Sequence, residues 1–212
     1  MLERVHWLGH DSFRLDGSSV VYIDPWKLPL GQPTAHVVLV THDHYDHYSA
    51  DDIARVAGPD TVVVGPSAVT AKVRGQATRT IRPGETLEVN TATVTAVPAY
   101  NVDKFKQPGV VYHSRDAGHV GYIVAMDGMR IYHAGDTDAI PEMEAVDVDV
   151  ALLPVGGTYT MTAEEAARAC TMLRTAVAVP MHFGDIVGSR DDARVFERLC
   201  TVPVTILDPE RD

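Results

Sequence analysis

Residues 42 to 47 read His-Asp-His-Tyr-Asp-His, so three imidazoles and two carboxylates fall within six residues. Neutral imidazole is the commonest metal ligand among side chains, and a carboxylate adds the negative charge that a divalent cation requires. A solvated surface loop, the ordinary alternative, has no use for so many side chains without a packing role. The cluster follows Ala35-His36-Val37-Val38-Leu39-Val40-Thr41, an apolar, β-branched run of the kind that forms a buried strand. A strand that stops at a group of ligands delivers them to the rim of a sheet, where a rigid scaffold holds a reactive site.

The chain offers more residues of the same kind from separate segments. Ile23-Asp24-Pro25 ends an early strand, Tyr132-His133-Ala134-Gly135-Asp136-Thr137 ends a later one, and Pro180-Met181-His182 ends another. With these, His42-x-His44-x-Asp46-His47 resembles the signature of the metallo-β-lactamase fold superfamily. The resemblance runs from about residue 4 to the end. Gly9-His10-Asp11-Ser12 and Ala134-Gly135-Asp136-Thr137 are most similar to the small, single-domain hydrolases related to ascorbate-6-phosphate lactonase.

The resemblance implies an α/β fold, a four-layer αββα sandwich with residues 1–212 as one domain and a metal site at one edge. It also implies two divalent metal ions. His42 and His44 would bind one, Asp46 and His47 the other, Asp136 would bridge them, and His182 would complete the second site. A carboxylate has two oxygens and can bridge, which a neutral imidazole cannot. Zn²⁺ suits such a donor set, and Mn²⁺ or Fe is compatible with it.

One departure from the family pattern matters. The third His of the first metal usually follows the strand that here ends in Pro98-Ala99-Tyr100-Asn101, and this chain has none there. His113 and His119 are the candidates. His113 is favoured because Tyr112-His113-Ser114-Arg115 is polar and irregular, whereas His119 begins a strand. Asp24 is expected to orient a metal ligand, although a strand-end Asp before proline also makes turns. Asp46 is expected to orient the attacking hydroxide and receive its proton. His10 is expected to donate a proton or bind substrate, and His133 to pack nearby. His6 and His36 look structural. Tyr159 and Met161 lie in a glycine-rich loop that could line the pocket.

The positioning elements follow from pattern. Val5–Leu8, Ser12–Leu15 and Val20–Ile23 read as short antiparallel strands, and Thr61–Val64 and Thr93–Ala99 as further strands. Ser49 caps a helix, with Asp52 at its third position, and Pro66 to Arg74 reads as another. Asn101 to Gly118 reads as irregular. His119–Met126 and Met129–His133 flank Asp127-Gly128, which favours a type I′ hairpin turn. Val148–Leu153 and Ala176–Pro180 are strands. Thr162-Ala163-Glu164-Glu165 matches a capping box, and Ala163, Ala166, Ala167, Cys170 and Leu173 share the face of the helix it opens. Asp191 to Cys200 reads as a last helix and Val202 to Leu207 as a last strand.

Composition narrows the function classes. The 212 residues are 45% hydrophobic and 22% charged, ordinary values for a globular protein, with a net charge of −11. Lys and Arg are scattered singly, so a nucleic-acid partner is not expected. That weighs against a nuclease resembling tRNA 3′-processing enzymes. Di-iron relatives that reduce oxygen carry a carboxylate where this chain has His44, and usually a fused flavin domain. A non-catalytic metal-binding module is disfavoured by the intact ligand set. No apolar run is long enough for a membrane helix and the N-terminus carries no secretory pattern, so the cytoplasm is expected. Cys170 and Cys200 read as small apolar residues. The expected function is a metal-dependent hydrolase acting on a small ester, lactone or phosphodiester, an anionic substrate included, through a metal-activated hydroxide. Oligomeric state has no signal in the sequence.

Overall fold

Chain order and spatial order coincide in the first sheet of this protein. The computed structural model describes residues 2–210. Strands β1 (Val5–Gly9), β2 (Ser12–Asp16), β3 (Val20–Ile23), β4 (Ala35–Leu39), β5 (Ala57–Gly65) and β6 (Ala77–Thr80) lie side by side in that order. Short turns make β1, β2 and β3 antiparallel. From β3 to β6 the strands are parallel, and parallel neighbours need crossovers. Helices α1 (Ala50–Val56) and α2 (Ser67–Thr70) lie in two of them.

The second sheet is built from β7 (Thr86–Val89), β8 (Ala92–Pro98), β11 (Val120–Met126), β12 (Met129–His133), β13 (Asp147–Pro154) and β14 (Arg174–Met181). Their spatial order is β14-β13-β12-β11-β8-β7. A small ribbon, β9 (Phe105–Gln107) with β10 (Val110–Val111), interrupts the stretch between β8 and β11. The β11–β12 hairpin pairs Met126 with Met129. Its two turn residues, Asp127 and Gly128, have φ of 50° and 77°, the left-handed pair that a type I′ turn requires.

Alternation in β4 explains the layering. Val37 and Leu39 face the core between the sheets, with Phe13, Ile23, Val124 and Leu152. Val38 and, just past the strand, Val40 face the opposite way, against Ile53 and Val56 of α1 and Val69 of α2. A strand buried on both faces must be apolar throughout, which is why this run shows no polar alternation. Helices α3 (Ala163–Ala169) and α4 (Arg190–Leu199) supply the last layer, with Ala163, Ala166 and Phe196 buried. The architecture is the expected αββα sandwich.

The capping signals are realised. Ser49 accepts from Asp52 N, and Thr162 with Glu165 forms the reciprocal capping box. Other expectations give way. Val202–Leu207 is not a strand; Val204 makes an isolated bridge to Ala178, and Pro203 has no N–H to extend a ladder. The helix expected from Pro66 to Arg74 shrinks to α2, and the one expected from Asp191 to Cys200 runs one residue earlier at each end. The irregular stretch from Asn101 to Gly118 contains the β9–β10 ribbon. Among the described residues, no helix is long and apolar enough to cross a membrane.

Function enters through one edge. The segments after β1, β3, β4, β12 and β14 carry His10 and Asp11, Asp24, the 42–47 cluster, Asp136 and His182, respectively. Since the layers rest on β4, Leu39→Ala should destabilise the fold by about 2–5 kcal/mol, the usual range for a fully buried leucine. Denaturant unfolding with an unchanged slope would read this out; a loss below about 1 kcal/mol would contradict the assigned core position.

Candidate metal centre

The side chains at this edge converge in two groups that share one carboxylate. In the first, His42 Nε2 lies 3.0 Å from His44 Nδ1, and His113 Nε2 lies 3.3 Å from the same atom. In the second, Asp11 Oδ2 lies 3.5 Å from His10 Nε2, 3.5 Å from His47 Nε2 and 3.6 Å from His182 Nε2. Asp136 stands between them. Its Oδ2 is 3.3 Å from His113 Nε2 and 4.0 Å from His42 Nε2. Its Oδ1 is 3.3 Å from His47 Nε2 and 3.4 Å from His182 Nε2. One oxygen therefore faces each group.

The ring orientations are set from behind. Asp24 Oδ2 is 2.7 Å from His47 Nδ1, and its carboxylate also takes the Thr41 N–H and hydroxyl. An ionised carboxylate only accepts, so His47 carries its proton on Nδ1 and, when neutral, presents a lone pair at Nε2. Thr41 gives its hydroxyl proton to Asp24, which leaves Oγ1 to accept from His42 Nδ1 at 3.0 Å. Asn101 does the same for His113. Its Oδ1 accepts from His113 N at 2.8 Å and Nδ1 at 3.0 Å, while Nδ2 donates to Tyr159 O and Asp138. Asn101, just past β8, thus orients the His113 ring.

Backbone strain marks the same places. His10, Asp24 and His182 have φ of 50°, 47° and 57°. Left-handed backbone costs a residue with a Cβ about 1–2 kcal/mol, and all three stand at the site. Gly156 is required by close approach, since a Cβ there would lie 2.1 Å from His182 O.

Electrostatics differ between the groups. Burial holds His42 well below the ordinary imidazole range, and brings His113 down to about 4 against the pull of Asp136. Burial opposes charge on His47 and His182 as well. There the carboxylates of Asp136 and Asp11, joined by Asp24 at His47, outweigh it, so His47 sits well above its usual value and His182 rises to about 9. Burial disfavours charge on Asp136, but His47, His182 and His113 overcome it and hold its carboxyl well below the usual range.

Buried polar atoms here lack partners: both ring nitrogens of His10 and His182, both oxygens of Asp11, His47 Nε2 and Asp136 Oδ1. Such atoms are costly to leave unsatisfied, and a divalent cation would satisfy several at once. The donor set fits a metal, with His42, His44 and His113 as one ligand group and His10, Asp11, His47 and His182 as another.

The structure places the expected residues as follows. His42, His44, His47, His113, Asp136 and His182 come together. Asp24 stands behind His47 as an orienting carboxylate, and His133 packs nearby, 2.9 Å from Asp11 O. His119 lies against His42, with ring centroids 4.8 Å apart, and borders the first group without joining it. His10 is fully buried and lines no part of the cavity, so it does not meet substrate as expected; it stacks on His182 at 4.2 Å. Asp46 stands beside the second group, with Oδ2 4.0 Å from His47 Nε2 and 3.4 Å from His10 Nε2. Asp11 was missed. Its signal was its place beside His10 in Gly9-His10-Asp11-Ser12, the loop after β1. Tyr159 lines the cavity, whereas Met161 is buried in the core.

A family model described as a β-lactamase superfamily domain matches residues 4–182. This chain belongs to the metallo-β-lactamase superfamily. A UPF0173 metal-dependent hydrolase of Methanoculleus marisnigri is 35% identical, covering 97% of this chain and 94% of its own. A solved structure from Parabacteroides distasonis superposes with a TM-score of 0.81 at 30% identity, covering 98% of this chain and 93% of its own. Igni18, a metallo hydrolase of Ignicoccus hospitalis, gives 0.75 at 26% identity, over 97% and 94%. The chain is accordingly a metal-dependent hydrolase of that superfamily.

Asn101→Ala should weaken metal binding about 10–100-fold, the usual effect of removing a partner that orients a ligand. His113→Ala should cost metal at the first group more severely than His119→Ala. Titration calorimetry with Zn²⁺ reads both; a larger loss in His119→Ala would reassign the ligand.

Proposed function

We propose that this metal-dependent hydrolase holds two divalent ions, Zn²⁺ first and Mn²⁺ or Fe as alternatives, and cleaves a small ester, lactone or phosphodiester. The observation that carries this reading is Asp136, whose two oxygens face separate ligand groups. His42, His44 and His113 would hold one ion; His47 and His182, with His10 and Asp11, would hold the other. Bound divalent ions supply Lewis acidity, lowering the pKa of a water toward neutrality and polarising the oxygen under attack.

The chain's own residues do the rest. Asp46 lines the cavity beside Asp136, and its Oδ2 lies within 3.4 Å of His10 Nε2. Burial raises its pKa, but the His10 contact and the charge of His47 bring it below the ordinary value, so it is a carboxylate at neutral pH. Asp46 therefore accepts the proton of the attacking water and orients its oxygen. Asp24, Thr41 and Asn101 keep the imidazoles aimed without reorganising during turnover. Free thiols at Cys170 and Cys200 suit a reducing cytoplasm, where the protein would meet a small-molecule substrate.

Chelation should abolish turnover and lower the melting temperature, with both restored by Zn²⁺ or Mn²⁺, because the ions stabilise only the folded state. Metal analysis after reconstitution should approach two ions per chain; a value well under one would sink the reading. Asp46→Asn should lower kcat by about 10²-fold or more while leaving circular dichroism intact. Near-normal turnover in that variant would move the proton acceptor elsewhere.

A further inference from the structure

The cavity above the metal-holding residues is built for more than metal. Its volume is about 310 Å³, and His44, Asp46, His113 and Asp136 contribute its polar floor. Tyr45, Tyr112, Tyr159 and Ile186 form the remaining wall. The rings of Tyr112 and Tyr159 meet edge to face at 4.7 Å, and Tyr45 leans edge-on toward Trp26 at 6.1 Å. Tyr45 is 67% exposed. Asn101 ties this wall to the floor, since the side chain that orients His113 also donates to Tyr159 O at 2.9 Å. The apolar surface extends outward from it: Val102 and Phe105 are exposed, and Phe105 pairs with Val111, the neighbour of Tyr112.

Charge is distributed the other way. Among the described residues, neither Lys nor Arg lines the cavity, whereas two carboxylates do. Three nearby lysines are engaged. Lys104 is held by Asp103, Asp138 and Glu165, Lys72 by Asp43, and Lys27 lies 4.0 Å over the Trp26 ring. An anionic group seated against the wall would find no Lys or Arg there, the ions of the floor being taken up by the scissile group. An aromatic or branched apolar group would find ring faces and edges and an isoleucine.

We propose that the substrate is a carboxylic ester or lactone whose aromatic or apolar group seats among Tyr45, Tyr112, Tyr159 and Ile186, and that analogues carrying an anion in place of that group are disfavoured. This rests on the hydrolase reading above and narrows it. In the reaction, the water oxygen bonds to the acyl carbon and the bond from that carbon to the alkoxy oxygen breaks. One proton ends on the released alcohol, and the acid leaves as a carboxylate after losing its own to solvent.

The test uses the Zn²⁺-loaded protein and three matched lactones: γ-butyrolactone, its 3-phenyl derivative, and the derivative with a phosphomonoester in place of phenyl. The phenyl lactone should exceed the phosphorylated one by at least about tenfold in kcat/KM, the scale on which a pocket discriminates one group. Tyr112→Ala should cut the phenyl-to-unsubstituted ratio of kcat/KM about tenfold, chiefly through KM. Ile186→Arg should shift preference toward the phosphorylated lactone. Equal or better use of that lactone by the wild type, or an unchanged ratio in Tyr112→Ala, would overturn the proposal. Turnover of none of the three would count against the hydrolase reading instead. Calorimetry then decides the wall's role, comparing phenylacetohydroxamic acid with its ring-phosphorylated analogue. Tighter binding of the neutral compound, lost in Tyr112→Ala, supports the proposal, and equal binding overturns it.

Discussion

The burial of Asp136 between two sets of imidazoles is the constraint on which the site depends. A carboxylate that is 3% exposed is costly to hold charged, and neighbouring positive charge is what makes it tolerable. His47 and His182 meet Oδ1, and His113 meets Oδ2. Every strand end that contributes a ligand must therefore arrive at one place, which dictates how the two sheets meet at this edge.

Holding those groups asks for rigidity from behind. The imidazoles rest on acceptors that cannot reverse their role: the Asp24 carboxylate, the Thr41 hydroxyl already committed to Asp24, and the Asn101 carbonyl. Each leaves Nε2 of its ring facing inward. The left-handed backbone at His10, Asp24 and His182 belongs to the same economy, since strain persists only where surrounding packing over-determines it. Stability from the doubly buried strands thus supports conformations that the local sequence would not choose.

The division between floor and wall separates chemistry from selection. Floor and wall share two loops, His44 and Asp46 with Tyr45 after β4 and His113 with Tyr112 after the β9–β10 ribbon, while Asp136 follows β12, Tyr159 follows β13 and Ile186 follows β14. Loops can vary while the strand ends stay in place. Asn101 is the point where the two meet, because it bonds both to His113 and to the Tyr159 carbonyl.

Much of this was legible in the residues themselves. The density of His and Asp at 42–47, the apolar run before it, the Asp127-Gly128 turn and the Thr162 capping box act over a few residues, and local spacing suffices to read them. The superfamily pattern added Asp136 and His182. Other features depended on contacts distant in sequence. Asp11 becomes a donor only because β1 ends beside β14, and His10 is withdrawn from the cavity for the same reason. The grouping of His113 with His42 and His44 depends on Asn101, twelve residues away, and on His44, sixty-nine residues away. The tyrosine wall joins three segments that share no local pattern. Side-chain type and short-range periodicity are properties of the chain, whereas the direction in which a buried donor points is set by whatever the fold packs behind it.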